Sequence, residues 1–253
     1  MDDLRIYNKA LTAAQVAQLY GADTTLNAPQ VKKVTNGLVG YWSFNNPDMN
    51  WATGQAVDKS GQGNHGALVN LSTTTSPTIG KSGQALSFNG TSQAVQTGNV
   101  ASPSSITATA WIKATNFHDW EPIVGQWNEN ANQRSWAVAL SSTGQISAFN
   151  STNGNLSSQS ISNTALSLNK WYFVTVVQDT SNASTGKKIY INGVLDASSA
   201  QSGIFSLSQP ITIGYSPMFA GGQNYFAGAI DEVRVYSRAL SAAEVKQLYN
   251  AGK

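Results

Sequence analysis

KKIYINGVLDA, residues 187–197, decides the fold class. Two short apolar runs flank Asn192-Gly193, a dipeptide that favours the left-handed turn joining an antiparallel hairpin. The same pattern extends outward in both directions. Short apolar runs separated by Gly, Asn, Ser and Thr occur at 38–44 (LVGYWSF), 84–88, 93–97, 105–113 (SITATAWIK), 121–127 (EPIVGQW), 135–140, 145–149, 171–178 (WYFVTVVQ), 210–214 and 226–236. No long helical pattern intervenes, so alternating strand and helix with a parallel sheet is disfavoured. The expected fold is all-β, a two-sheet antiparallel sandwich.

Composition narrows the function classes. The charged fraction is 11%, and uncharged polar residues fill the spaces between apolar runs. Net charge is +2 with no block of like charges, so no phosphate-neutralising patch and no nucleic-acid partner are expected. There are no cysteines, which excludes disulfides and thiolate metal sites. No apolar run approaches the roughly 18 residues that would span a bilayer, so no membrane insertion is expected. Met1-Asp2-Asp3-Leu4 lacks the basic-then-apolar pattern of a signal peptide. If the protein is exported, the expectation is a piece of a longer precursor.

One repeat stands out. Residues 2–20 (DDLRIYNKALTAAQVAQLY) align without gaps to 231–249 (DEVRVYSRALSAAEVKQLY), with eleven of nineteen positions identical. Each copy reads as a strand followed by a short helix. Val233 and Val235 alternate with Glu232, Arg234 and Tyr236. Ser241-Ala-Ala-Glu244 is a capping box, and Val245, Leu248 and Tyr249 form the apolar stripe behind it. The period matches one β-sandwich. Residues 1–21 therefore read as the tail of a preceding module, 22–36 as a linker and 37–250 as one complete module. A terminal element packing within the same domain is the alternative.

GLVGYWSF (37–44), AVDKSGQGNHGAL (56–68), GQALSFNGTSQAV (83–95), TATAWIKA (107–114), NKWYFVTVVQD (169–179) and FAGAIDEVRVYSRALSAAEVKQLY (226–249) resemble, in this order, a laminin-G-like domain. The resemblance covers about 37–250 and is weakest over 115–165. It implies a concanavalin A-like jelly roll with a short C-terminal helix, here preceded by the strand-helix extension. It also implies a secreted or cell-surface setting and a structural calcium ion near the junction of the opening loop and the last strand. The fold hosts lectins, adhesive modules and hydrolases alike, so function must be argued from a site.

Two constellations are candidates for that site. In Asp58-Lys-Ser-Gly-Gln-Gly-Asn-His-Gly66, Asp58 and Asn64 offer side-chain oxygens within a glycine-rich turn, as a hard cation requires. Asp231 resembles the family's second anchor. The alternative is that Asp58 and Asn64 only close the turn through backbone hydrogen bonds, with His65 as a turn residue. The second constellation is aromatic and polar: His118, Trp120, Trp127 and Trp136 with Phe117 beside them, Asn116, Asn128, Asn130, Asn132, Gln133 and Arg134 as polar partners, and Phe219 and Tyr225 in the 215–225 loop as another rim. Sugar sites combine exposed aromatic faces with amides and hydroxyls. Against this, Trp111, Trp127, Trp136 and Trp171 lie in apolar runs that suit a core.

Catalysis lacks a basis. The Glu-x-Asp-x-x-Glu spacing of laminarinase-like hydrolases is absent, and only Asp119 and Glu121 stand at i, i+2. The expectation is a non-catalytic extracellular binding or adhesion module whose partner is a glycan or a surface protein. A structural repeat that self-associates through residues 1–21, and a glycoside hydrolase, are the competing readings.

Overall fold

The Asn192-Gly193 turn forms as its chemistry dictates, with φ of 52° and 73° at the two residues. The computed structural model describes residues 12, 34–155, 157–217 and 225–252. The chain divides into two compact units, 1–33 and 34–253, and only the second is described below. That second unit starts at Val34, inside the stretch expected as linker. The expected strand-helix tail at 1–21 lies, apart from Thr12, outside the described residues.

In chain order the strands are β1 (Leu38–Trp42), β2 (Met49–Asn50), β3 (Gln55–Ala56), β4 (Gly66–Val69), β5 (Pro77–Ile79), β6 (Gln84–Asn89), β7 (Ala94–Ala101), β8 (Ile106–Ala114) and β9 (Glu121–Asn128). They continue with β10 (Gln133–Leu140), β11 (Gln145–Asn150), β12 (Ser158–Ala165), β13 (Tyr172–Gln178), β14 (Lys187–Ile191), β15 (Val194–Ser199), β16 (Ser208–Ile213) and β17 (Ala227–Tyr236). One helix, α1 (Ala242–Ala251), follows. The first sheet runs β15-β14-β13-β8-β17-β6-β5, with β1 also on β17. The second runs β12-β11-β10-β9-β16-β7-β4-β3-β2. All pairings are antiparallel. The all-β jelly-roll sandwich expected from sequence is what forms.

Strand alternation sorts the side chains into three layers. Between the sheets lies the main core, which includes Trp42, Phe44, Leu86, Val95, Ile123, Trp136, Ile213 and Val235. The outer face of the first sheet carries Trp111, Phe173, Tyr190 and Tyr236, and α1 covers it with Val245 and Leu248. The helix begins with the predicted capping box: Ser241 Oγ accepts the Glu244 N–H, and the Glu244 carboxylate accepts the Ser241 N–H. Arg238 Nη2 holds Glu244 Oε1 at 2.5 Å and keeps that carboxyl down at about 2. The outer face of the second sheet carries a separate buried cluster of Trp127, Ala137, Ala139 and Phe149, against which Trp120 packs; among the described residues no helix lies on it.

Sequence reading passed over β12 and the short strands β2 to β5. In β12 (SQSISNTA) Ile161 is the only large apolar residue, so no alternation shows. The strand exists because it is an edge of its sheet, paired to β11 on one side and tied on the other to β15, whose Asp196 accepts the N–H groups of Asn163 and Thr164.

Candidate functional site

The floor of the candidate site is one lateral row of the second sheet. Gln96 faces Thr212, Thr212 faces Gly125, Gly125 faces Ala137, Ala137 faces Phe149 and Phe149 faces Gln159, across six strands. The middle of the row must be small. A Cβ on Gly125 would meet that of Ala137 at 2.9 Å. Aromatic rings stand around this low centre. Trp120, whose φ of 59° reverses the chain just before β9, packs edge-on against Phe149 at 5.1 Å. Trp127 packs against the same Phe149 at 5.7 Å. Tyr215 stacks on Tyr225 at 4.6 Å.

Beside Trp127 the surface sinks into a hollow of about 470 Å³. It is lined by Gln96, Trp127, Asn128, Asn130, Ala131, Gln133, Gln209, Pro210, Thr212, Tyr215 and Pro217. The volume falls in the range of small-ligand sites, roughly 300–1,000 Å³. The indole Nε1 of Trp127 is buried with no acceptor.

The residues expected from sequence disperse around this feature. Asn128 lines the hollow, and Tyr225 backs the Tyr215 ring that lines it. Trp120 connects through Phe149 and is not part of the lining. His118 is not part of the lining either; its N–H donates to Glu121 Oε1 at 2.8 Å. Arg134 is spent: its guanidinium holds Glu129 Oε1 at 2.5 Å and donates to the carbonyl of Asn155, closing the β9–β10 turn. Phe219 lies outside the described residues. Trp127, expected from sequence in the core, is buried, in the smaller apolar cluster on the outer side of the second sheet. Asn130 and Gln133, expected as polar partners, and Tyr215, at the start of the expected 215–225 rim, also line it; Gln96, Gln209 and Thr212 were not expected, and for these the hint in the sequence is a polar Thr212 set between Ile211 and Ile213.

The three expected cation ligands do not converge. Asp58 accepts four hydrogen bonds: the N–H groups of Tyr41 (2.9 Å), Ser60 (2.8 Å) and Asn64 (2.9 Å), and the Ser60 hydroxyl (2.7 Å). A carboxylate so surrounded by donors has no lone pair left for a metal. Asn64 Nδ2 donates to the Val39 carbonyl at 2.8 Å, and His65 Nδ1 accepts the Asp58 N–H at 3.0 Å. These residues close the turn. Asp231 sits elsewhere, on β17. Its Oδ2 accepts the N–H groups of Lys81 (2.8 Å) and Ser82 (3.0 Å), while Oδ1 is buried with no partner. Burial pushes this carboxyl up to about 7. Asn45 Oδ1 binds the same turn, accepting the Gln84 N–H at 2.8 Å. Among the described residues no group of three or more His, Cys, Asp or Glu is placed to hold a metal.

Glu121, one of the two carboxylates considered for catalysis, is a structural tie. It is fully buried, and its oxygens accept the N–H groups of His118 (2.8 Å) and Ala227 (3.3 Å), joining the 115–120 loop to β17. Asp119 is exposed. Burial raises the Glu121 carboxyl from 4.5 to about 7, although the two backbone donors pull it down. A carboxyl raised in the folded state favours folding while both states are protonated and loses that advantage as the unfolded chain ionises first. Its contribution is therefore greatest below pH 4.5 and declines as pH rises to about 7. Glu121→Gln removes that titration. Urea midpoints measured at pH 4.5 and pH 8 will fall less between the two pH values for the variant than for the wild type.

Comparison with known proteins places this geometry in a family. A family model described as the concanavalin A-like lectin/glucanases superfamily, Laminin_G_3, matches residues 88–246. A comparison with curated protein sequences finds no significant match. Among solved structures, the binding domain of Paraclostridial mosquitocidal protein 1 is similar, with TM-score 0.65 and 17% identity over 87% of this chain and 53% of that one. Domain 4 of a GH43 extracellular arabinanase from Geobacillus stearothermophilus, solved with arabinotriose, has TM-score 0.62 and 19% identity over 84% of this chain and 98% of that one. The ligand-binding domain of botulinum neurotoxin serotype D, solved with N-acetylneuraminic acid, has TM-score 0.61 and 18% identity over 87% and 52%. The chain thus spans about half the length of the toxin domains and nearly all of the arabinanase domain. At these identities the structural likeness speaks for the fold alone, but the family match extends over well over half the residues, and the chain belongs to the laminin-G-like part of the concanavalin A-like lectin/glucanases superfamily.

Proposed function

We propose that the chain is a non-catalytic carbohydrate-recognition module that binds its ligand in the hollow beside Trp127. The observation that carries this is the lining itself: the half-buried Tyr215 ring, with the largely buried Trp127 beside it, set among carboxamides and a hydroxyl on the outer face of the second sheet. A pyranose or furanose ring offers an apolar face to such rings and hydroxyls to such amides. The arabinanase domain and the toxin domain of the same fold were solved with sugars, which supports the reading. So does the employment of Glu121 in backbone hydrogen bonds, which leaves no close carboxylate pair for glycosyl transfer. An extracellular setting, secreted or on a cell surface, and a role in adhesion accord with a lectin-like module; the arabinanase that contains one such domain is itself extracellular.

The calcium ion implied by family resemblance is proposed at Asp231, away from Asp58. Its buried, unpartnered Oδ1 is the oxygen that calls for a cation. When bound, the ion supplies charge balance and ties β17 to the 80–84 turn.

The repeat carries a second reading, self-association. Tyr236, Leu240, Val245 and Leu248 place 231–249 against the first sheet, and Tyr7, Leu11, Val16 and Leu19 stand at the matching positions. Residues 2–20 thus have the chemistry to dock on the sheet of another sandwich of this kind.

Three measurements test these readings. On a glycan array followed by calorimetry, the wild type binds, and Gln96→Ala, Asn128→Ala and Gln133→Ala each weaken binding about 5-fold, the loss of one hydrogen bond of about 1 kcal/mol, with melting temperature unchanged. Absence of any array signal, or variants that bind like the wild type, removes the site. Excess chelator lowers the melting temperature of the wild type and of Asp58→Asn but not of Asp231→Asn; an unchanged wild type removes calcium. Light scattering of the full chain shows association that disappears on deleting residues 1–21, and a strictly monomeric full chain defeats the second reading.

A further inference from the structure

The charge of the hollow assigns the class of sugar. Resting on the reading that this hollow is the glycan site, we propose that it selects neutral glycans and rejects those carrying a carboxylate, such as sialylated or uronic-acid chains. The inference comes from charge accounting around the wall. Among the described residues no lysine, arginine, aspartate or glutamate lines the hollow. The neighbouring segment 218–224 (MFAGGQN) has no charged residue in its sequence either.

Among the described residues, the charge adjoining the lining in sequence is the Glu129–Arg134 ion pair of the β9–β10 turn. Arg134 is buried, and its guanidinium donors are directed at Glu129 Oε1 and at the carbonyls of Gly154 and Asn155. It cannot turn to a ligand without stranding Glu129. The carboxylate is the less satisfied member of the pair, since Glu129 Oε2 is buried with no donor. An anionic sugar entering the hollow therefore meets no available cation and lies near an under-compensated carboxylate. A charge taken from water without a partner is costly, and carboxylate recognition elsewhere relies on cationic or strongly donating groups.

A neutral sugar meets the opposite situation. Its hydroxyls each donate and accept, as do the carboxamides of Gln96, Asn128, Asn130 and Gln133.

Matched probes test the charge rule on the full chain by calorimetry: arabinotriose, cellotriose and lactose against trigalacturonic acid and 3′-sialyllactose. At least one neutral probe binds, the acidic probes bind at least tenfold more weakly, and the neutral affinity does not change between 50 and 500 mM salt. Gln133→Lys, an exposed position on the rim, raises the affinity for the acidic probes and leaves the melting temperature unchanged. Acidic probes bound as tightly as neutral ones by the wild type, with binding lost in Asn128→Ala, overturn the charge rule while leaving the site intact. Binding of no probe, acidic or neutral, removes the site itself and the rule with it.

Discussion

Everything in the sandwich is hung on β17. Its first half pairs with β6 and its second half with β1, while β8 runs along the other edge. The strand passes from one neighbour to the next through an irregularity at Asp231 to Arg234, where Glu232 takes a φ of 55°. Side chains at this bend lock the opening of the module to its close. Arg234 lies 4.0 Å over the Tyr41 ring and holds Glu232, whose carboxylate accepts the Tyr41 hydroxyl. Asp58 in turn holds the Tyr41 N–H, and Trp42 donates to the Asn64 carbonyl at 3.0 Å. Nearly two hundred residues of sequence are closed into one loop by these contacts, and the main core fills as a consequence.

The two sheets then take different roles because their outer faces are covered differently. The first sheet is finished by the chain itself, since α1 follows β17 directly and lays Val245 and Leu248 over Trp111 and Phe173. Among the described residues no helix does this for the second sheet. Its outer face keeps only the aromatic cluster around Phe149 and the amide-lined hollow beside it.

Position of the hollow depends on one buried amide. Gln126 Oε1 accepts the Trp136 Nε1–H (2.8 Å) and the Ser102 hydroxyl (3.0 Å), and its Nε2 donates to the carbonyls of Val100 (2.7 Å) and Gln209 (2.9 Å). All four of its hydrogen-bonding positions are met inside the core, so it cannot exchange places with its neighbour. Strand alternation then sends Trp127 outward. The β9–β10 register shift between Arg134 and Trp136 lets Trp136 remain inside on the facing strand.

The sequence by itself determined the parts with local causes. Asn192-Gly193 set a hairpin, the Ser241 and Glu244 box started a helix, and alternating apolar runs built β6 through β11 and β13 through β17 close to their observed limits. These follow from the conformational preferences of a few adjacent residues. Tertiary structure alone decided the site. Gln96, Trp127, Gln133, Gln209, Thr212 and Tyr215 come from four strands and the chain just beyond β16, and only antiparallel register brings them together. It decided that Asp58 closes a turn while Asp231 keeps an open oxygen, because only packing shows which lone pairs are already taken. It also decided which face Trp127 takes: an apolar residue in a strand is equally legible as core or as sugar platform until the bulge beside it is known.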